Sequence, residues 1–383
     1  MTARLTEALP IACELRKRVL DPLRRMFIGK DEIIDVLGVC LAASEHAFLL
    51  GPPGTAKSAI VNELARRIDG TTFGYLLTRF TEPSELFGPW DLRRLRDGEL
   101  VTNTAGMLPE ASLVFLDELL NANSAILNSL LTALNERVFR RGRETGHLPL
   151  LMVVGASNHL PEDDALGALF DRFLLRVTCN NVPDDRLGEV LHAGWRLETP
   201  QATNEPRLPA ESVRIVHRAL SEVGLQAVHA DLTTLVHRLR RAGIAVSDRR
   251  AVKLQRLVAA SALLCGRSAA ARSDLWVFKH IWDADEQREV LQSLVGDAIG
   301  TAGDEPDAHP AARNPDRPDP EVIARDLHAL ELQVTTGDLQ AVDRARTQDR
   351  LRALQSRLEW VADATARDFL QQRTEALWNR LLD

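Results

Sequence analysis

The stretch His46–Ser58, HAFLLGPPGTAKS, decides the fold. Ala47 to Leu50 form a short apolar run of the kind that makes a buried strand. Gly51, Pro52, Pro53, Gly54, Thr55 and Ala56 then form a loop rich in turn formers. Lys57 and Ser58 open a stretch whose apolar residues recur at helical spacing to Ile68. A strand that runs into such a loop and on into a helix aims backbone N–H groups and the positive end of a helix dipole at one point, which favours phosphate. Lys57 is spaced to reach the β and γ phosphates and Ser58 to offer its hydroxyl to Mg2+, so the stretch predicts binding of ATP or GTP. The general pattern has glycine where this chain has Ala56, but the other residues stand in order after an apolar strand.

Four more short apolar runs follow: Phe73 to Leu77, Leu113 to Leu116, Leu150 to Ala156 and Leu174 to Thr178. Each is bounded by Gly, Pro, Asn or charged residues. Helical stretches such as Lys57 to Ile68 and Asn123 to Glu136 lie between them. Strands without polar alternation that alternate with helices predict a parallel sheet covered on both faces. The fold class is therefore α/β, an αβα sandwich with a five-stranded parallel sheet. From Asp184 to about Gly300 only helical periods appear, so an all-α region follows.

Two of these runs end in residues that suit phosphate chemistry. Leu113 to Leu116 leads into Asp117 and Glu118, which puts two carboxylates at the strand tip where open α/β sheets bind ligands. Asp117 would hold Mg2+ through its water shell, and Glu118 would polarise the attacking water. The run ending at Ala156 is followed by Ser157 and Asn158. Asn158 reads either as a donor to the γ-phosphate or the attacking water, or as an ordinary turn former.

The order GPPGTAKS, LVFLDE, LNSLLTALNERVFRRG, VVGASN and LFDRF resembles the AAA+ ATPases of the MoxR family, and within it the RavA subfamily, with LLTRFTEPSELFGP as a further hallmark. The resemblance runs from about Asp21 to Val295. It implies ATP rather than GTP, hydrolysis with Mg2+, and a ring, expected to be a hexamer, that remodels or activates a protein client. It also implies a partner carrying a von Willebrand factor A domain. By the same resemblance Asn158 matches sensor 1, and Arg172 in FDRF matches the arginine finger that reaches a neighbouring subunit's nucleotide. Arg249 in VSDRR matches the sensor 2 arginine of the lid, with Arg250 the alternative register. A surface ion pair is the competing reading for each of these arginines. Ile28 and Gly29 resemble the segment that packs the adenine, although Ile28 also reads as a core residue before a turn.

The resemblance divides the chain into a nucleotide-binding subdomain over 1–182 with an insert at about 81–107, and an α-helical lid over 183–300. The insert is punctuated by Pro83, Gly88, Pro89, Gly98 and Gly106, so a loop is expected there. Phe87 and Trp90 read as core packing beneath it, or else as aromatics that grip a client. A nucleic-acid-stimulated motor is the rival reading, and Arg79, Arg93, Arg94 and Arg96 of the insert would serve it, although Asp91, Asp97 and Glu99 offset part of their charge. Five prolines across Thr301–Pro320 predict an extended, solvated linker. Residues 321–383 are expected to form a helical hairpin turning at Gly337. Its apolar stripes are Leu327, Leu330, Val334 and then Leu351, Leu354, Leu358, Val361, and they read as a hairpin closing on itself or as a coil for a partner. The β-rich insert usual after the RavA lid is not recognisable here.

Composition sets limits on all this. The 383 residues carry 47 Lys+Arg against 54 Asp+Glu, a formal charge of −7, which argues against a wholly nucleic-acid-binding surface but leaves room for a local basic pore. Cys13, Cys40, Cys179 and Cys265 lie far apart without metal spacing, and fit free thiols in a reducing compartment. No apolar run approaches the ~20 residues of a membrane helix, and the first residues lack a signal-peptide core. A cytoplasmic location is the expectation.

Overall fold

The computed structural model describes residues 2–96, 99–141, 144–161, 164–183, 186–198, 206–313, 320–336 and 364–382, with residues 344, 347, 348, 351, 354, 355 and 358 between the last two. The chain divides into two compact units, residues 1–312 and residues 313–383.

The first unit is built on five parallel strands, β1 (Ala47–Leu50), β2 (Thr72–Leu76), β3 (Leu113–Asp117), β4 (Met152–Ser157) and β5 (Leu175–Thr178), in the order β2-β3-β4-β1-β5. Burial follows position. Central β1 and β4 are buried at every residue, whereas the edge strand β2 alternates between exposed and half-buried positions. The register brings Leu50 level with Ser157 and Thr178, and Leu76 level with Asp117. The strands therefore end together along one edge. Because β1 lies between β4 and β5, the chain leaves it in one direction and returns on the other side, which opens a crevice at its carboxyl end.

Helix Lys57–Arg66 follows β1, and helix Ser124–Glu136 follows β3. The second is capped by Asn123, whose side-chain oxygen accepts from the Ala125 and Ile126 amides at 3.1 Å each. After Leu187–Glu198, the helical region continues with Ala210–Ala219, His229–Arg241, Asp248–Leu264, Arg272–His280 and Gln287–Ile299. Helix Ala3–Glu14 packs on Ala210–Ala219 and Asp248–Leu264. The whole unit shares one hydrophobic core.

Three features differ from the sequence reading. An antiparallel hairpin, Val138–Arg141 with Glu144–His147, follows helix Ser124–Glu136; its charged residues hide any strand pattern. A two-residue parallel pairing joins Ile68–Asp69 to Leu208–Pro209 inside the region expected to be wholly helical. Residues 301–312 are not an extended linker: they form 3-10 turns at Gly300–Asp304 and Pro310–Ala312. His309 is buried there and stacks on Trp276 at 4.6 Å between centroids. Residues 314–319 lie outside the described residues.

The second unit contains helices Pro320–Thr336 and Ala364–Leu382 and helical residues between 344 and 358. Ile323, Leu327, Leu330, Leu351, Leu354, Leu358, Leu370 and Leu377 form one core, so these stripes close on each other. Arg373 spans Glu331 with contacts of 3.1 and 2.6 Å. Gly337 and Val361 lie outside the described residues.

Acid should destabilise the first unit through three histidines. His46 accepts from the Val153 amide at 3.1 Å and pairs with the Leu134 carbonyl at 3.3 Å. Burial first, then Arg137 and Lys253, push its pKa down to about 3. Burial likewise lowers His217 to about 4 and His309 to about 3. The unfolded chain binds these protons near pH 6.5 and the folded chain refuses them, so stability present above that pH is lost as pH falls, on the order of 3 kcal/mol per histidine by pH 4. Asp35 works the other way, since burial raises its pKa to about 6 despite Arg24, and offsets part of the loss. A melting midpoint that falls steeply between pH 6.5 and 4.5 is expected; a flat profile there would contradict this assignment.

Candidate functional site

The crevice at the carboxyl end of β1 is lined by the loop 51–56. A Cβ on Gly51 would lie 2.2 Å from the Cys179 carbonyl oxygen, so only glycine lets the loop leave the strand there. The Gly51 amide donates to Ser157 at 3.0 Å, and the Cys179 amide to Leu50 at 2.6 Å, which ties the loop base to β4 and β5. Ala56 adopts the left-handed region, with φ of 68°. That conformation costs a residue with a Cβ about 1–2 kcal/mol, and the loop holds it where the general pattern has glycine.

Lys57 is only 6% exposed, yet its ammonium points back into the loop and donates to the Gly51 and Pro52 carbonyls at 2.6 and 2.9 Å. Thr55 Oγ1 also donates to the Pro52 carbonyl, at 2.9 Å. Ser58 Oγ donates to Asp117 Oδ2 at 3.2 Å, while Asp117 Oδ1 accepts from the Glu118 amide at 3.1 Å. Glu118 itself is left-handed, with φ of 49°, so the chain turns sharply after the paired acid. Asn158 is exposed and follows Ser157, whose carbonyl binds the loop. Lys57, Ser58, Asp117, Glu118 and Asn158 thus meet along one sheet edge. The hydroxyl and carboxylate oxygens of Ser58 and Asp117 suit a hard cation that keeps most of its waters. Among the described residues no cluster of three or more His, Cys, Asp or Glu offers a protein cage for a metal.

Ile28 is half-buried and precedes Gly29, which lies beside the segment that follows β5. Gly29 has φ of 70°, and a Cβ on it would lie 3.3 Å from a Val182 methyl. Next to it, Lys30 donates to the carbonyl of Asn180, just after the Cys179 that pairs with Leu50. Burial lowers the pKa of Lys30, and it raises the Cys179 thiol to about 12, leaving it neutral.

The three remaining arginines are not at this edge. Arg172 lies in the turn leading to the amino end of β5, and its Nε is buried without a hydrogen-bond partner among the described residues. Arg249 is exposed and reaches Asn135 at 3.4 Å, beside the Leu134 that pairs with His46 just ahead of β1. At about 3.3 Å per residue, a four-residue strand puts these positions roughly 13 Å from their own loop. Arg250 is turned inward, donating to the Ala245 and Ile281 carbonyls at 2.9 and 2.5 Å and to Asp283 Oδ2 at 3.0 Å. Of the two lid candidates, only Arg249 faces solvent.

Sequence reading missed Arg176 and its partner Asp283. Arg176 is fully buried in β5 and pairs with Asp283 at 2.6 Å; burial and the nearby Arg250 charge lower its pKa to about 9. An arginine inside the run LLRVT was the available signal. In the insert, Phe87 is buried and stacks on Phe139 at 5.7 Å, whereas Phe80, just ahead of the insert, is 91% exposed. The insert holds short helices Pro83–Phe87 and Leu92–Arg96, and Trp90 bridges to Thr102. Asp97 lies outside the described residues.

Comparison with known proteins agrees with this architecture. A family model for the MoxR domain of MoxR–vWA–beta-propeller ternary systems matches residues 13–218, and one for an AAA lid domain matches residues 227–295. Two uncharacterised proteins of Methanocaldococcus jannaschii are 34% and 33% identical over 305 and 284 residues; each match spans 73% of this chain, with 81% and 73% of those proteins covered. The chaperone MoxR1 of Mycobacterium tuberculosis is 25% identical over 190 residues, 49% of this chain and 50% of that protein. A crystal structure of a candidate ATPase from Cytophaga hutchinsonii shares the fold with a TM-score of 0.63 at 19% identity, covering 76% of this chain and 96% of that one. Among the described residues no helix is long and apolar enough to cross a membrane. With a glycine-containing loop and helix after the first strand of a five-stranded parallel sheet, a helical lid, and both parts matched in order, the chain belongs to the nucleotide-binding MoxR family of AAA+ ATPases.

Proposed function

We propose that this protein hydrolyses ATP with Mg2+ and spends the energy on remodelling or activating a protein client. The observation that carries the reading is the contact between Ser58 Oγ and Asp117 Oδ2, 3.2 Å, with Glu118 turned out of the strand beside it. In this reading the Lys57 ammonium exchanges the loop carbonyls for the β and γ phosphate oxygens, and Ser58 and Asp117 hold Mg2+, which neutralises phosphate charge. Glu118 accepts the proton of the attacking water while Asn158 orients that water. Ile28 and Gly29 pack the adenine.

Arg172 and Arg249 lie at the opposite edge of their own sheet, which supports their acting on the nucleotide of an adjoining protomer. Such an arrangement fits a ring, and a hexamer is the family expectation. A partner with a von Willebrand factor A domain is supported by the description of the matching MoxR domain family. The RavA likeness rests on the same order of motifs with LLTRFTEPSELFGP as a further hallmark, and a RavA-like role in protein remodelling is part of this proposal.

Glu118→Gln should keep ATP affinity, because the amide retains the shape of the acid, while removing the proton acceptor and lowering turnover about 10^2- to 10^4-fold. Phosphate release together with calorimetric binding checks both halves. Turnover equal to that of the unaltered protein would remove Glu118 from the chemistry.

A further inference from the structure

One buried guanidinium links the lid to the turn that carries Arg172. Arg176 projects from β5 and is wholly enclosed. Its Nη2 donates to the Phe170 carbonyl at 3.2 Å and lies 3.7 Å from Asp171 Oδ1, and its carbon sits 4.2 Å from the Phe170 ring centroid. Its Nη1 donates to the Ile281 and Trp282 carbonyls at 3.2 and 2.8 Å and pairs with Asp283 at 2.6 Å. The same Asp283 carboxylate takes Arg250, in the first turn of lid helix Asp248–Leu264. The Ile281 carbonyl is shared between the two arginines as well.

Phe170 ends its helix two residues before Arg172. A guanidinium is planar and its donors point in fixed directions, so Arg176 can hold both segments only while they keep one relative position. Buried ion clusters are a poor source of stability compared with apolar side chains of similar volume. Their use here favours a role in register. Arg176 Nε has no partner among the described residues, so all its hydrogen bonds go to the bridge.

We propose that Arg176, Asp283 and Arg250 form a joint through which the seating of the lid sets the position of Arg172. These three are positioning residues, and hydrolysis in the adjoining protomer depends on the joint of this one. The inference rests on the trans role proposed above for Arg172.

The test uses Asp283→Asn in the full chain. Hydrolysis should fall at least tenfold, with ATP affinity by calorimetry within twofold of the unaltered protein. Mixing with Glu118→Gln should restore activity, because a Glu118→Gln protomer has an idle site but an intact joint and can present its Arg172 to the competent site of an Asp283→Asn neighbour. A role confined to holding the fold together would not be rescued in this way. No loss of turnover, or a loss that mixing leaves unchanged, would overturn the joint. If Asp283→Asn does not fold, Arg176→Lys keeps the charge but cannot span both segments, and the same pattern is expected of it. Arg172→Ala is measured in parallel. If it slows hydrolysis while neither joint variant does, only the joint falls; if it has no effect, the trans reading falls and the joint with it.

Discussion

Lys57→Ala is expected to remove measurable ATP binding at concentrations that saturate the unaltered protein. In the structure the ammonium is almost enclosed and already makes two hydrogen bonds to the loop carbonyls. In the nucleotide complex it would make the corresponding bonds to phosphate oxygens, each worth about 1.5–3 kcal/mol because the partners are charged. Two such bonds correspond to roughly a 10^2- to 10^4-fold loss of affinity. Pro52 is exposed but Gly51 is buried, so the change leaves one enclosed carbonyl without its donor, and the melting midpoint without nucleotide should fall modestly while the fold is kept. Titration calorimetry together with a melting curve checks both, and retained affinity would remove the loop from the nucleotide site.

The second large effect belongs to Arg172. Its side chain lies at the amino edge of the sheet, and its Nε gives up no hydrogen bond when removed. Arg172→Ala should therefore leave folding and ATP affinity nearly unchanged. An arginine that neutralises transition-state charge from outside contributes about 10^3- to 10^5-fold to phosphoryl transfer, so turnover in the assembled protein should fall by that order. A turnover reduced less than tenfold would show that Arg172 does not reach the reacting phosphate.

The strands were legible because their signal is local. Each of the five is a short apolar run with polar boundaries, and the observed ends fall within about two residues of those read from the sequence. The hairpin at 138–147 escaped because RVFRRGRETGH has the polarity of a surface loop, with an apolar pair, Val138 and Phe139, buried only at its start. Residues 301–312 were misread for the opposite reason. Their Pro and Asp content is that of a linker, yet His309 and Ala312 find places in the core, which composition does not report. In the candidate site, the residues from Gly51 to Ser58 and the Asp117–Glu118 pair were legible as candidates because a turn-rich loop and an acidic strand tip are each contiguous in sequence. The placement of Arg249 was not legible, since it depends on how the lid packs against the start of β1. Nor was the partnership of Arg176 with Asp283, which spans 107 positions of chain.

A nucleotide gripped by one copy of this chain and triggered by the next is the arrangement on which the proposed function stands. It is tested most directly by mixing Arg172→Ala with Glu118→Gln, each nearly inactive alone, and measuring ATP hydrolysis as their ratio is varied. Activity should reappear and peak at intermediate ratios, where an intact Arg172 from one variant faces an intact Glu118 of the other. Activity that never rises above that of the two separate variants would contradict it.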